Sequence, residues 1–377
     1  MSENPESNRD AKRRELAAAF DQPLDPLAEA EAVFRETDVD PFALFREEVL
    51  DARDLAASTY RNFERLFEEW RAHMQRQGRH PACPSPDHVE AYIRGQTAPE
   101  TEGGKDNANR TVKEKLRKLN QAYRYFQDDP AFPHSTDYNP ISVARDRVPL
   151  PVRKEKEYRR IPVSELREMV QSVTVLRART LIVLQLKLGL RAGEVANIRL
   201  GDFQMADAEV TQHYPAIGTH DRLDDYENVI YVPSKHEREG NKSSRPRLLP
   251  LDDEVRALLE RYLFVRPDNC EPWLFLSLKS HSQMTSKGVN DVWKDAFHPE
   301  YAETDEYRPV TSHFGRHRFT TYWRVEQDVN RQLVKYMRGD RTGAYRNDRG
   351  MNAYLHAYYE DIEALYREGI YLLEVHS

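Results

Sequence analysis

Residues 188–203 read LGLRAGEVANIRLGDF, and the fold of the second half of the chain turns on this stretch. The run that leads into it, 176–188 (LRARTLIVLQLKL), is apolar nearly all round, the pattern of a helix buried on every side. Gly189 can end that helix, because glycine adopts the left-handed conformation that stops one at little cost. Arg191 then emerges from a tight turn just before a second helix that contains Glu194. An arginine anchored in this way has limited freedom and can present its planar fork to phosphate oxygens ready-made. An ordinary helix-turn-helix corner with a surface arginine fits the same segment, and taken alone it leaves both readings open.

Working outward, 163–173 reads as a helix upstream. Downstream, 227–233 (ENVIYVP) and 247–251 (RLLPL) read as two strands flanking a polar turn. Helices are expected at 252–264, 286–297, 316–323 and 329–337, with a helical tail after Met351. Before this region, 139–160 looks like a linker, interrupted by Pro140, Pro149 and Pro151. Residues 41–138 are helical in pattern. Within them, 58–74 sets Tyr60, Phe63, Leu66, Phe67 and Trp70 on one stripe, with Ser58 as a cap. The stretch 111–126 sets Val112, Leu116, Leu119, Ala122 and Tyr123 on one face and its basic residues on the other. Residues 1–40 are acidic and weakly periodic, which suggests a disordered or loosely docked arm. The expected fold is mainly α with a small β-hairpin or sheet. Its domains are an arm (1–40), a helical domain (41–138), a linker (139–160) and a second domain (161–377).

Charge at first argues against a nucleic-acid partner, since the net value is -7. The first fifty residues, however, hold 13 acidic and 6 basic side chains, so all the net acidity lies there and the remainder is balanced. Two blocks are locally basic: 105–124 with seven basic against two acidic residues, and 144–160 with seven against three. Such blocks can neutralise phosphates on a molecule that is acidic as a whole. Either block taken alone also fits a solvated helix face or a charged linker. Cys83 and Cys270 carry no metal-ligand spacing, and 15 glycines form no phosphate-cradling loop. No run approaches the roughly 20 apolar residues of a membrane helix, and the N-terminus lacks the apolar core of a signal peptide.

A second marker is 311–323 (TSHFGRHRFTTYW), where His313 and Arg316 stand three apart and can project from one end of a helix. A lone H-x-x-R is common, but order along the chain adds weight. G-L-R-x-x-E comes first, then a hairpin containing lysine, then H-x-x-R-H, then a tyrosine in the closing segment. That ordered set resembles the catalytic domain of tyrosine recombinases, the phage integrase family, over about residues 160–375. The helical region 41–138 resembles the family's core-binding domain.

The resemblance implies a two-domain clamp on double-stranded DNA, with Arg191 and Arg316 as the phosphate-binding arginines and His313 as the second-box histidine. In the hairpin PSKHEREGNKSSRPRLLPL, Lys235 takes the place of the family's lysine, with Lys242 as a second candidate. Tyr354, in NAYLHAYYEDIEALY, stands in the Y-x-H setting of the nucleophile. Tyr358 and Tyr359 compete for that role, but Tyr358, Ile362, Leu365 and Tyr366 continue an apolar helical stripe, so the pair is expected to pack. The third box departs from the pattern. It reads YMRGD at 336–340, placing Asp340 where the family usually has histidine or tryptophan, and it resembles the box of divergent archaeal integrases. An ionised carboxylate cannot donate a hydrogen bond to phosphate. Asp340 is therefore expected to orient an arginine, while Arg338, Arg341 or His356 supplies a donor.

The implied activity is site-specific cutting and rejoining of DNA through a 3′-phosphotyrosyl intermediate, with no cofactor and no metal. The implied setting is self-association as a tetramer on DNA, in the cytoplasm at the nucleoid and without a membrane partner. Lys113, Lys115, Arg117, Lys118, Arg153 and Lys154 are the expected DNA contacts. An integrase-like DNA-binding protein without catalysis is the alternative.

Overall fold

Two hydrophobic cores divide the chain into Met1–Lys154 and Glu155–Ser377. The computed structural model describes residues 5–53, 55–152, 155–267, 269–341 and 358–375.

The first unit holds helices α1 (Pro5–Ala19), α2 (Ala30–Glu36), α3 (Pro41–Phe45), α4 (Ala57–Arg76), α5 (Pro86–Thr97), α6 (Asn109–Asp128) and α7 (Pro140–Arg147). Its core is aromatic. Phe63, Phe67 and Trp70 on α4 meet Phe42 and Phe45 on α3, and Tyr123 and Phe126 on α6. The α6 stripe read from the sequence is the buried one, Val112, Leu116, Leu119, Ala122 and Tyr123 with Phe126 added.

The two ends of this unit differ from expectation. The arm is docked from Asp25 onward. Leu27 lies in the core, and Asp25 and Glu31 bracket Arg79 at 2.8 and 3.2 Å. The acidity that suggested disorder thus supplies partners for a largely buried cation. At the other end, the first part of the expected linker is helix α7. The Asn139 side chain accepts from the Ser142 N–H at 3.0 Å, and Pro140 occupies the first helical position, where its missing N–H costs nothing. Ile141 and Ala144 then enter the core. A proline read as an interruption was a helix start.

In the second unit, α8 (Val163–Gln171) leads to α9 (Leu176–Leu188) and α10 (Ala192–Ala196). Strands β1 (Phe203–Gln204), β2 (Val229–Val232) and β3 (Arg247–Pro250) follow, with α11 (Ala208–His213) between the first two. Then come α12 (Asp253–Val265), α13 (Ser286–Phe297), α14 (Ser312–Thr321), α15 (Arg331–Arg338) and α16 (Tyr359–Gly369). Helix α9 is buried without a break from Thr180 to Leu188 and packs against α12 and α14. The sheet is antiparallel in the order β1-β2-β3, with Ile230 opposite both Phe203 and Leu249. The hairpin was legible. The two-residue β1 was not, because so short a strand has no periodicity. After α16 the chain runs extended, and the Leu373 and Val375 N–H groups donate to Glu254. Glu254 also pairs with the fully buried Lys187 of α9, which ties the end of the chain to the central helix.

Candidate active site

Helix α9 ends at Gly189 with φ +63, and a β-carbon there would lie 2.5 Å from the Phe319 ring of α14. Only glycine satisfies both the left-handed turn and this close approach. The turn delivers Arg191 to the start of α10, and α14 delivers Arg316 from the other side. Arg191 donates to Ser243 Oγ at 2.8 Å and to Glu194 Oε1 at 3.1 Å. Its remaining terminal nitrogen donates to Asp340 Oδ1 at 2.8 Å. Arg316 is buried. It donates to the Gly189 carbonyl at 2.7 Å, to the Arg338 carbonyl at 2.9 Å, and to the same Asp340 Oδ1 at 2.9 Å. Two guanidinium groups, 125 residues apart in sequence, thus converge on one carboxylate oxygen.

Beneath them lies a residue that the sequence reading passed over. Arg247, at the start of β3, is wholly buried. It donates to the Met337 carbonyl at 2.7 Å, to Ser243 Oγ at 3.0 Å and to Glu194 Oε2 at 3.0 Å. It therefore joins the Arg191 helix, the hairpin and the end of α15. A usable signal existed: strand alternation puts Arg247 on the same face as the core residues Leu249 and Leu251, an unusual place for a charge. Burial alone would raise the Glu194 carboxyl, but Arg247, Arg316 and Arg191 hold it at about 2. Burial, then repulsion from Arg191, brings Arg316 down to about 9, which leaves it charged at neutral pH. Gly339, with φ +65, closes α15 against this cluster, where a β-carbon would come within 2.6 Å of Ser243 Oγ.

The other expected residues are placed less uniformly. His313 opens to solvent at the start of α14 and meets His317 edge-on at 4.4 Å between ring centres. Partial burial, then Arg316 and Arg338, lowers its pKa. His317, tilted against the Tyr158 ring with centres 4.0 Å apart, is lowered to about 4, first by burial and then by His313. Lys235 is exposed, and its backbone N–H donates to the Ser243 carbonyl at 2.9 Å, so the hairpin lysine is one residue pairing from Arg191. Tyr354 and His356 lie outside the described residues, as do Arg153 and Lys154.

The competing tyrosines separate. Tyr359, with Ile362 and Tyr366, forms the buried stripe of α16, and its hydroxyl donates to Glu363 at 3.0 Å. Tyr358, read from the sequence as part of that stripe, is 60% exposed at the helix start. The stripe is displaced by one residue because the helix begins at Tyr359.

On α6, the four expected cations do not form one equivalent surface. Lys113 and Arg117 are exposed, and Arg117 pairs with Glu114 at 2.9 Å. Lys118 stands over the Phe63 ring at 4.8 Å. Lys115 turns inward, donating to both oxygens of Glu69 at 2.9 Å and to Gln96 at 2.7 Å, and Lys105 joins the same carboxylate at 3.0 Å. Burial would raise Glu69, but bonds from Tyr92, Lys115 and Lys105 hold it at about 2. Lys115 is thus neutralised internally.

Compared with known proteins, residues 159–361, more than half of the chain, match the sequence model of the phage integrase family. The chain belongs to that family. No curated protein gives a significant match. Among solved structures, it resembles the Tn1549 transposon integrase in complex with transposon right end DNA. That match has 18% identity and a TM-score of 0.56 over 87% of this chain and 98% of that one. It also resembles a lambda integrase dimer bound to a COC′ core site, with 16% identity and a TM-score of 0.54 over 82% and 95%. A lambda integrase tetramer bound to a Holliday junction gives 14% and 0.55 over 82% and 79%. At these identities the likeness is one of fold, and it covers both units. No described helix is long and apolar enough to cross a membrane.

Proposed function

We propose that this member of the phage integrase family is a site-specific DNA recombinase that cuts and rejoins duplex DNA through a 3′-phosphotyrosyl intermediate. The observation that carries the reading is the convergence of Arg191 and Arg316 on a single anionic oxygen. Two fixed guanidinium groups meeting at one point stabilise the non-bridging oxygens of a phosphorane, which carries more charge than the phosphodiester ground state. Their fixation comes from Glu194, Ser243 and the Gly189 carbonyl, so little reorganisation is needed when charge develops.

In this reading Tyr354 attacks the phosphorus, forming the Tyr–O–P bond as the P–O5′ bond breaks. The phenol proton passes to His313, whose lowered pKa leaves it neutral and able to accept at pH 7. Lys235 protonates the departing 5′-oxygen, with Lys242 on the same hairpin as its competitor. A 5′-hydroxyl of a partner strand then reverses the step, and the phosphodiester is conserved without water, metal or nucleotide. Lys113, Arg117 and Lys118, with Arg153 and Lys154, contact backbone phosphates, and four copies assemble on the paired sites.

The test is incubation with a pool of nicked duplexes of random core sequence in EDTA, followed by denaturing gels and peptide mapping. Wild type is expected to give a covalent protein–DNA adduct at Tyr354, and Tyr354→Phe none. A second reading, a DNA-binding protein without catalysis, is favoured by the carboxylate of Asp340 lying where phosphate would sit. Absence of any adduct from wild type would select it.

A further inference from the structure

The phosphate seat is already occupied by an anion that belongs to the chain. Asp340 Oδ1 accepts from Arg191 and Arg316, and Oδ2 lies 3.0 Å from Arg338 Nε. That last contact is close but misaligned, and Arg338 Nε is buried without a hydrogen-bond partner. Four guanidinium groups (Arg191, Arg247, Arg316, Arg338) and two carboxylates (Glu194, Asp340) make up the cluster, a surplus of two positive charges. Glu194 is fully buried and held from three sides, so it cannot leave. Asp340 is different. Its side chain is 26% exposed, and it follows Gly339, the left-handed residue that closes α15. Its side chain thus reaches solvent, while its backbone is held by the Asp340 N–H to Lys335 carbonyl bond at 3.0 Å.

We propose that Asp340 is a displaceable internal stand-in for the scissile phosphate, and that Arg338 becomes the third guanidinium ligand of the phosphate once Asp340 swings out. This rests on the recombinase reading only for the identity of the natural anion. A phosphodiester carries one negative charge, as does the aspartate it displaces, so the exchange leaves the charge of the cluster unchanged. The additional charge of the phosphorane then meets the full surplus of the arginines. With Asp340 gone, Arg338 Nε loses its misaligned partner and is free to donate to a third oxygen. That supplies the donor which a carboxylate at this position cannot. In free protein the carboxylate lessens the mutual repulsion of the four guanidinium groups and competes with stray anions.

The experiment is titration of the full chain with inorganic phosphate, followed calorimetrically in low-salt buffer without DNA. Asp340→Asn keeps size and removes the charge, and it is expected to bind phosphate about tenfold or more tightly than wild type. Asp340→Ala is expected to do the same and guards against an effect peculiar to the amide. The gain should vanish in Arg191→Ala/Asp340→Asn and fall several-fold in Arg338→Gln/Asp340→Asn. A general loss of structure would lower affinity, so it cannot imitate the expected gain. Equal or weaker binding by both Asp340 variants overturns the proposal, because Asp340 would then build the seat and not fill it. A gain that survives Arg191→Ala places the phosphate elsewhere and overturns it too, and a gain indifferent to Arg338→Gln removes Arg338 as the third ligand. None of these outcomes depends on whether the protein forms an adduct with DNA, which tests the recombinase reading separately.

Discussion

Helix α6 in the first unit and the arginine cluster of the second are both rich in cations, yet they hold them differently. On α6, Arg117 and its partner Glu114 are each 54% exposed, and the pair is one that water and salt can replace. In the cluster, Arg247 and Glu194 have no exposed side-chain surface at all. Desolvated charges must be paired and hydrogen-bonded, so their positions are fixed by every neighbour at once. An exposed cation contributes field, whereas a buried one contributes geometry. Lys115 shows that the boundary does not follow helix faces, since it sits on the basic side of α6 and yet spends its charge on Glu69.

Arg247 is where burial weighs most. Arg247→Met alone strands Glu194 without its main partner, and loss of about 3–5 kcal/mol of stability is expected. Thermal melting should show it as a fall of roughly 10 °C in the second unit. A melting temperature within a degree or two of wild type would mean that Glu194 is satisfied without it.

Arg316→Ala is expected to lower the rate of adduct formation by on the order of 10²–10³, about 3–4 kcal/mol, with DNA affinity nearly unchanged. Single-turnover cleavage and filter binding on the same duplex separate the two quantities. Near-normal cleavage would remove Arg316 from the site.

Acid sharpens the contrast. Glu194 is held at about 2 against an ordinary value of 4.5, so its contribution is fully present above pH 4.5 and is lost as pH falls towards 2. The loss is on the order of 3 kcal/mol. Denaturant melts of wild type across that window should show it, and Glu194→Gln should flatten the acid limb. Glu69 has the same direction and a similar window, but it is 23% exposed, and its share is smaller after solvent screening.

The smallest effects belong to the α6 surface. Lys113→Gln with Arg117→Gln should weaken binding to all duplexes alike and make the salt dependence shallower by one to two counterions, with melting unchanged. Lys115→Met should do the reverse, costing about 1 kcal/mol of stability and leaving the salt slope alone. If Lys115→Met instead changes the slope, its pairing with Glu69 opens when DNA binds.

Much of this was legible because it is local. Gly189, Arg191 and Glu194 announce themselves through a helix stop, a turn and a helix start. His313 and Arg316 do so through a three-residue spacing, and the α6 core through its stripe. What was misread depended on ends. Asn139 and Pro140 start a helix only because Ile141 and Ala144 find a core, and Tyr358 leaves the α16 stripe because the helix begins one residue later. The role of Arg247 was missed because its partners Glu194, Ser243 and Met337 lie on three separate segments.

The sequence by itself determined the two helical regions, the hairpin and the order of the boxes. These follow from periodicity, turn chemistry and spacing, which act over a few residues at a time. Only the tertiary structure decided which cations are buried, which are neutralised from within, and that Asp340 fills the point where two arginines meet. Desolvation and pairing act between residues as far apart as 191 and 340, and no local pattern encodes that distance.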